Sequence, residues 1–392
     1  MKLSINSRLL IAINTIHSII DLFISTFLVA YFLNITNNNI VPASLFYIFT
    51  YFISMIGFPL IGPLVKSSKK KCLYNCSFII NSILLLFVIH LKENVISYIW
   101  ILGIIYGLEK ICYWFPQNVL TSKIARGSQV IKFNGYKSGF SGVVKIIMPI
   151  FFGWLITIDS FIGSAVFVLF LTILEFVLSS FIRLPIRVEK PFNIIKLVSV
   201  AFRNAKIKIS LYTEMIKGFV SNTLEILIVL YVVYLFKSNF NLGVFTSVFA
   251  VSTVVSNMML GKYCKFKNLS RLLFVCSLLT VVSIIYFVFD TDKLSFIVYN
   301  FIFASAWQVI NTITEINMYK VSQNRLVASD YRDEYLALRE FFLCFGRILG
   351  FGLLLLIASL QNFEIIKYLI LFYGTFLILI GYLSIRLCRQ LK

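Results

Sequence analysis

Charge is scarce in this chain. Asp and Glu number 16 among 392 residues, and charged residues make up 13% of the sequence against 59% hydrophobic. A water-soluble domain of this length needs far more polar surface to cover its core, so that class is excluded. Histidine is scarcer still, with only His17 and His90. Their absence elsewhere removes the His-Glu-x-x-His zinc arrangement and any plausible Ser-His-Asp grouping. The chain is therefore not expected to be an enzyme. Seven cysteines are scattered, mostly within or at the ends of apolar segments. Cys72 and Cys76 lie close together, but no further His or Cys completes a ligand set. Neither a metal nor another cofactor is expected.

What the chain has in quantity is long apolar runs, with a mean hydropathy of +0.92. About 20 such residues cross about 30 Å of hydrocarbon as a helix. Polar breaks divide the sequence into twelve candidate spans. They cover residues 8–34, 41–65, 72–91, 95–121, 135–157, 160–182, 209–236, 240–261, 271–290, 293–319, 341–360 and 365–387. His17 and Asp21 interrupt the first, which is too long for a secretory leader and has no small-x-small cleavage site after it. It reads as a membrane helix. The expected fold is an all-α polytopic membrane protein.

The 36 basic residues are unevenly placed. Alternate loops and the two termini hold 28 of them, with seven between Arg183 and Lys208. The opposite loops hold Lys92, Lys237, Lys293 and Lys367 beside Glu93, Asp159, Asp290, Asp292 and Glu364. By the positive-inside rule both termini are expected on the cytoplasmic side. No concentrated basic domain is left over, which argues against a nucleic-acid partner.

The basic stretch Arg183–Lys208 separates two sets of six spans: residues 1–182, a linker over 183–208, and 209–392. The second set repeats features of the first in the same order. Gly62-x-x-x-Lys66 is matched by Gly261-x-x-x-Lys265, Trp114 and Asn118 by Trp307 and Asn311, and Lys137 and Lys145 by Arg339 and Arg347. With twelve spans, a basic central loop and this repeat, the chain resembles the major facilitator superfamily of secondary transporters over essentially its whole length. That family usually carries Gly-x-x-x-Asp-Arg-x-Gly-Arg-Lys between helices 2 and 3. In GPLVKSSKKK, Gly62 and the closing Lys70 and Lys71 fit, while Lys66 stands in place of Asp and Lys69 in place of the second Gly. In span 5, Gly135, Gly139, Gly142, Pro149 and Gly153 fall within about 80° of one another on a helix. This stripe suits close helix packing and is similar to the family's antiporter motif, with Met148-Pro149 in place of Gly-Pro. The resemblance implies two pseudo-symmetric six-helix bundles that work by alternating access, and a cavity lined chiefly by helices 1, 4, 7 and 10.

Ionised side chains inside a span cost about 2.5–3.5 kcal/mol each even on lenient insertion scales. The spans nevertheless hold Asp21, Glu109, Glu175, Glu214, Glu225 and Glu315 against Lys110, Lys145, Lys217 and Arg347. Under the resemblance, Asp21, Glu109, Glu225 and Glu315 put one carboxylate on each central helix. With His17 one turn before Asp21, these are the candidates for proton coupling or substrate binding. Lys145 and Arg347 are candidates for an anionic substrate group, and Asn14, Trp114, Gln308 and Asn311 for lining the cavity. Glu175, on an outer helix, reads as structural or interfacial. Glu214 reads as a local partner of Lys217, and Lys145 is available to Glu109. For His17 and the two tryptophans, ordinary packing is the competing reading. Six acids against four bases leave two carboxylates in excess, and an uncompensated buried carboxylate takes up a proton.

The function these features point to is secondary active transport of a small organic solute, coupled to protons. The same fold also serves drug or peptide export, but the family's proton-driven drug exporters usually carry an Arg in helix 4 and this span has none. A sensor or scaffold that kept the fold is the non-transport alternative. The expected partners are a small-molecule substrate, protons and the lipid bilayer, around a monomer. Richness in Ile, Phe, Asn and Lys suits an AT-rich bacterial genome and hence a bacterial cytoplasmic (inner) membrane.

Overall fold

The computed structural model describes residues 4–67, 69–124, 129–182, 192–236, 238–263, 268–290, 292–322, 327, 331–358 and 363–390. Lys265, Arg126 and linker residues 183–191 lie outside them. Among the described residues, eleven stretches are long and apolar enough to cross a membrane. One of these, Lys70–Thr121, has 52 residues. At about 1.5 Å per residue it would extend about 80 Å, more than twice the hydrocarbon thickness. A 3₁₀ turn over Lys92–Tyr98 divides it into two helices, the first ending at Lys92 with φ 50°.

The twelve long helices among the described residues are α1 (Ile5–Ile35), α2 (Val41–Lys66), α3 (Lys70–Leu91), α4 (Ile99–Ile124), α5 (Gln129–Ile158) and α6 (Phe161–Ser180). They continue as α7 (Ala205–Phe236), α8 (Asn239–Tyr263), α9 (Leu269–Phe289), α10 (Lys293–Ser322), α11 (Arg332–Ala358) and α12 (Phe363–Gln390). Their ends carry local signals. Ser4 Oγ accepts from the Ser7 amide at 3.1 Å to start α1, which widens into a π-helical turn over Phe23–Leu28 just past Asp21. Asn37 and Asn38 take positive φ after it, a conformation Asn tolerates better than most residues. Before α10, Asp292 Oδ1 accepts from the Ser295 amide at 2.6 Å while Ser295 Oγ accepts from the Asp292 amide at 3.1 Å. Donation from the Ser295 amide, and next from its hydroxyl, holds the exposed Asp292 carboxyl below the usual carboxylate range.

The chain forms two compact units. The first comprises Met1–Asn38, Leu45–Pro191 and Val232–Ser247. Within it α2 and α4 approach closely. Gly103 and Gly107 sit against the Phe46 and Thr50 carbonyls, and Thr50 Oγ1 donates to the Gly103 carbonyl at 3.2 Å. Small residues with hydroxyl donors are how helices associate where lipid removes the hydrophobic drive. The α5 stripe packs only in part: Gly153 meets backbone atoms of Asn239 and Gly243, but nothing lies within 4 Å of a Cβ at Gly139. Lys71, in the GPLVKSSKKK turn, donates to the carbonyls of Ser180 at 2.9 Å and Ile182 at 2.6 Å. It thus satisfies the orphan acceptors at the end of α6.

The second unit comprises Asn39–Ser44, Phe192–Tyr231 and Val248–Lys392. The described part of the linker is not all loop. A short helix, Ile194–Arg203, is capped by Asn193 and buries Leu197 and Ala201 in a cluster with Tyr335 and Leu338 of α11. Gly218 on α7 and Gly346 and Gly350 on α11 bring those two backbones together. A Cβ at position 346 would fall far inside van der Waals contact distance of the Met215 carbonyl oxygen, whereas one at Gly352 meets nothing within 4 Å among the described residues. Gly346→Ala is therefore expected to cost about 1–3 kcal/mol by overpacking. Gly352→Ala should cost nothing, and thermal unfolding of the two purified variants in detergent compares them.

Candidate functional site

In the first unit the ionisable groups form two adjoining sets. His17 of α1 is 3% exposed, Glu109 of α4 1% and Glu175 of α6 0%. His17 Nε2 lies 3.7 Å from Glu109 Oε1, and Nδ1 lies 3.5 Å from Glu175 Oε1. The imidazole stacks on Tyr113 with ring centres 3.3 Å apart and meets Trp114 edge-on at 6.1 Å. Asn14 Nδ2 donates to the Leu10 carbonyl at 2.7 Å, and Asn14 Oδ1 accepts from the Tyr113 hydroxyl at 3.3 Å. Asn14 and Trp114 therefore support the imidazole stack.

One turn further along α1, Asp21 accepts from the Lys110 ammonium and from the Tyr106 hydroxyl, the latter at 2.8 Å. Lys110 Nζ also lies 4.5 Å from the centre of the Tyr106 ring, an arrangement that favours the cation. Unlike the histidine set, this pair is accessible: the side chains are 34% exposed for Asp21 and 16% for Lys110.

The geometry corrects one expectation, for Lys145, and narrows two. Of the two readings of Glu175, structural or interfacial, the second fails, since the side chain is wholly buried against His17. The residues that place it there were legible: Ser164, Thr172, Glu175 and Ser179 share about 80° of an otherwise apolar helix. All four are buried, and Thr172 and Ser179 bond to Ser82 and Asn75 of α3 at 2.9 Å. Lys145 is exposed on α5 and does not pair with Glu109, whose neighbour is His17. Glu214 has Lys217 at 4.0 Å, as expected, and gains a nearer partner in Arg339 of α11, at 3.0 Å.

In the second unit, Glu214 is buried among Arg339, Lys217 and Arg347. Arg339 bonds Glu340 as well, at 2.7 Å. Glu225 and Glu315 are exposed, and Glu225 accepts from Asn222 Nδ2 at 3.3 Å. On α10, Gln308 and Thr312 both donate to Asn257 Oδ1 of α8, at 3.3 and 2.9 Å. Asn311 is half-buried beside them. Asn257 carried no sequence signal, because one Asn among the scattered Ser, Thr and Asn of α8 has no distinctive spacing.

The twelve membrane-length helices among the described residues, with buried acids and ion pairs within each unit and a buried histidine within the first, define a polytopic helical membrane protein. The family profile described as Major Facilitator Superfamily matches residues 11–351, and the chain belongs to that family of membrane transporters. No curated protein matches the chain.

Proposed function

We propose that the protein is a secondary active transporter of a small organic solute, working by alternating access and coupled to protons. It would reside in a bacterial cytoplasmic membrane with both termini inside the cell. The observation that supports this reading is the Asp21–Lys110 pair, a partly exposed carboxylate and ammonium on two helices that both cross the membrane. An isolated charge is expensive there, so each group depends on the other. A proton on Asp21 removes its charge and releases Lys110 to a solute anion. Conversely, a cationic solute group that engages Asp21 displaces Lys110. Either exchange links the state of one carboxylate to occupancy by solute, which is what coupling requires.

A thermal-stabilisation screen of the purified protein identifies the solute, since a ligand at about 100 times its Kd adds about 2.7 kcal/mol. That solute is then expected to accumulate in proteoliposomes when a pH gradient is imposed. Accumulation with a sodium gradient alone would refute proton coupling. A broad library with no thermal shift at any pH would favour a scaffold that has kept the fold.

A further inference from the structure

The Asp21–Lys110 pair leaves the fully buried set beside it unexplained. Its three members come from three helices, and neither nitrogen of His17 nor any carboxylate oxygen of Glu109 or Glu175 makes a hydrogen bond among the described residues. With both carboxylates ionised and the imidazole neutral, the set carries two negative charges in an apolar interior. The nearest cation, Lys110, is already matched by Asp21. Among the described residues no group of His, Cys, Asp or Glu is arranged to hold a metal ion.

We infer that Glu109, His17 and Glu175 form a proton-binding site within the first unit, and that it holds two exchangeable protons shared among three bases. The number follows from charge. Burial selects the electrically neutral state. Two arrangements satisfy it: both carboxyls protonated beside a neutral imidazole, or one carboxyl and the imidazolium protonated beside one carboxylate. Each contains two protons, and they interconvert when a proton passes between a carboxyl and the ring nitrogen facing it. Because Nε2 faces Glu109 and Nδ1 faces Glu175, the imidazole can accept on one side and release on the other. The stack on Tyr113 holds the ring in the plane that keeps both nitrogens aimed this way.

Among the described residues, the charged and titratable groups around the site are Asp21 on α1, Tyr74 on α3, Tyr106, Lys110, Cys112 and Tyr113 on α4, and Lys137 on α5. Lys137 has a contact of its own. Glu109 adjoins Lys110 in sequence and His17 lies one turn from Asp21, so the proton count here and the state of that pair act on each other electrostatically. That last link rests on the proton-coupled reading; the occupancy of the site does not.

Infrared spectroscopy of the protein in lipid, with no substrate, tests the occupancy through the carbonyl stretch of protonated carboxyl groups. At neutral pH the wild type is expected to show this band, shifted by ¹³C-glutamate labelling. Glu175→Gln should reduce it to roughly half or less, since the two remaining bases need only one proton for neutrality. Glu109→Gln/Glu175→Gln should abolish it, and with both charges removed this variant leaves no buried ion to prevent folding. A labelled wild type without the band, or one whose band is unchanged in these variants, overturns the proposal. Failure of the wild type to accumulate solute under a pH gradient would instead refute proton coupling and leave the spectroscopic result standing.

Discussion

Asp21→Asn is expected to abolish accumulation driven by a pH gradient in proteoliposomes while leaving a folded protein that still exchanges solute downhill. The amide is nearly isosteric and keeps an oxygen for the Tyr106 hydroxyl, which donates to Asp21 at 2.8 Å. It cannot take up or release a proton, so solute binding and proton binding are no longer linked. Lys110 loses its counter-charge but keeps the Tyr106 ring at 4.5 Å. Removing one partner of a fully buried pair costs about 3–5 kcal/mol; with Asp21 34% exposed, screening reduces this cost and unfolding is not expected. Uptake with and without the gradient, beside a melting curve, separates the two effects. Glu315→Gln is the companion variant. Full gradient-driven accumulation by both would remove these carboxylates from coupling.

The largest loss of stability is expected from Arg339→Leu. Its guanidinium bonds Glu214 at 3.0 Å, and the Glu214 side chain is only 2% exposed. Without Arg339, that carboxylate keeps Lys217 at 4.0 Å and the field of Arg347. The cost should lie toward the lower end of about 3–5 kcal/mol, the range for a buried charge stripped of its partner. Glu214→Gln/Arg339→Leu should recover part of it, because the buried carboxylate is gone, although Glu340 has lost Arg339 and Lys217 has lost Glu214. Unfolding of detergent-solubilised single and double variants provides the cycle. A single-variant loss below about 1 kcal/mol, or no recovery in the double, would show that the pair does not stabilise the α7–α11 contact.

These predictions rest unequally on sequence. The break between α2 and α3 at GPLVKSSKKK was legible because a run of lysines is costly to place in hydrocarbon. That Lys71 also closes the end of α6 was not legible, since its acceptors, Ser180 and Ile182, lie over a hundred residues away. The helices themselves follow from hydropathy, because lipid obliges each crossing segment to satisfy its own backbone. Even the 52-residue stretch Lys70–Thr121 divides where Lys92 and Glu93 would have been exposed to hydrocarbon.

The composition and order of the chain alone determined an all-helical membrane protein, its family resemblance, and which charges lie within spans. Which charges meet was decided only by the tertiary structure. Helical periodicity places a side chain on a face, but it does not say which neighbouring helix that face meets. Asp21 and Lys110, Glu214 and Arg339, and above all Glu175 and His17 are pairs between helices far apart in sequence. An acid on an outer helix acquires a buried partner only when α6 turns its polar stripe toward α1.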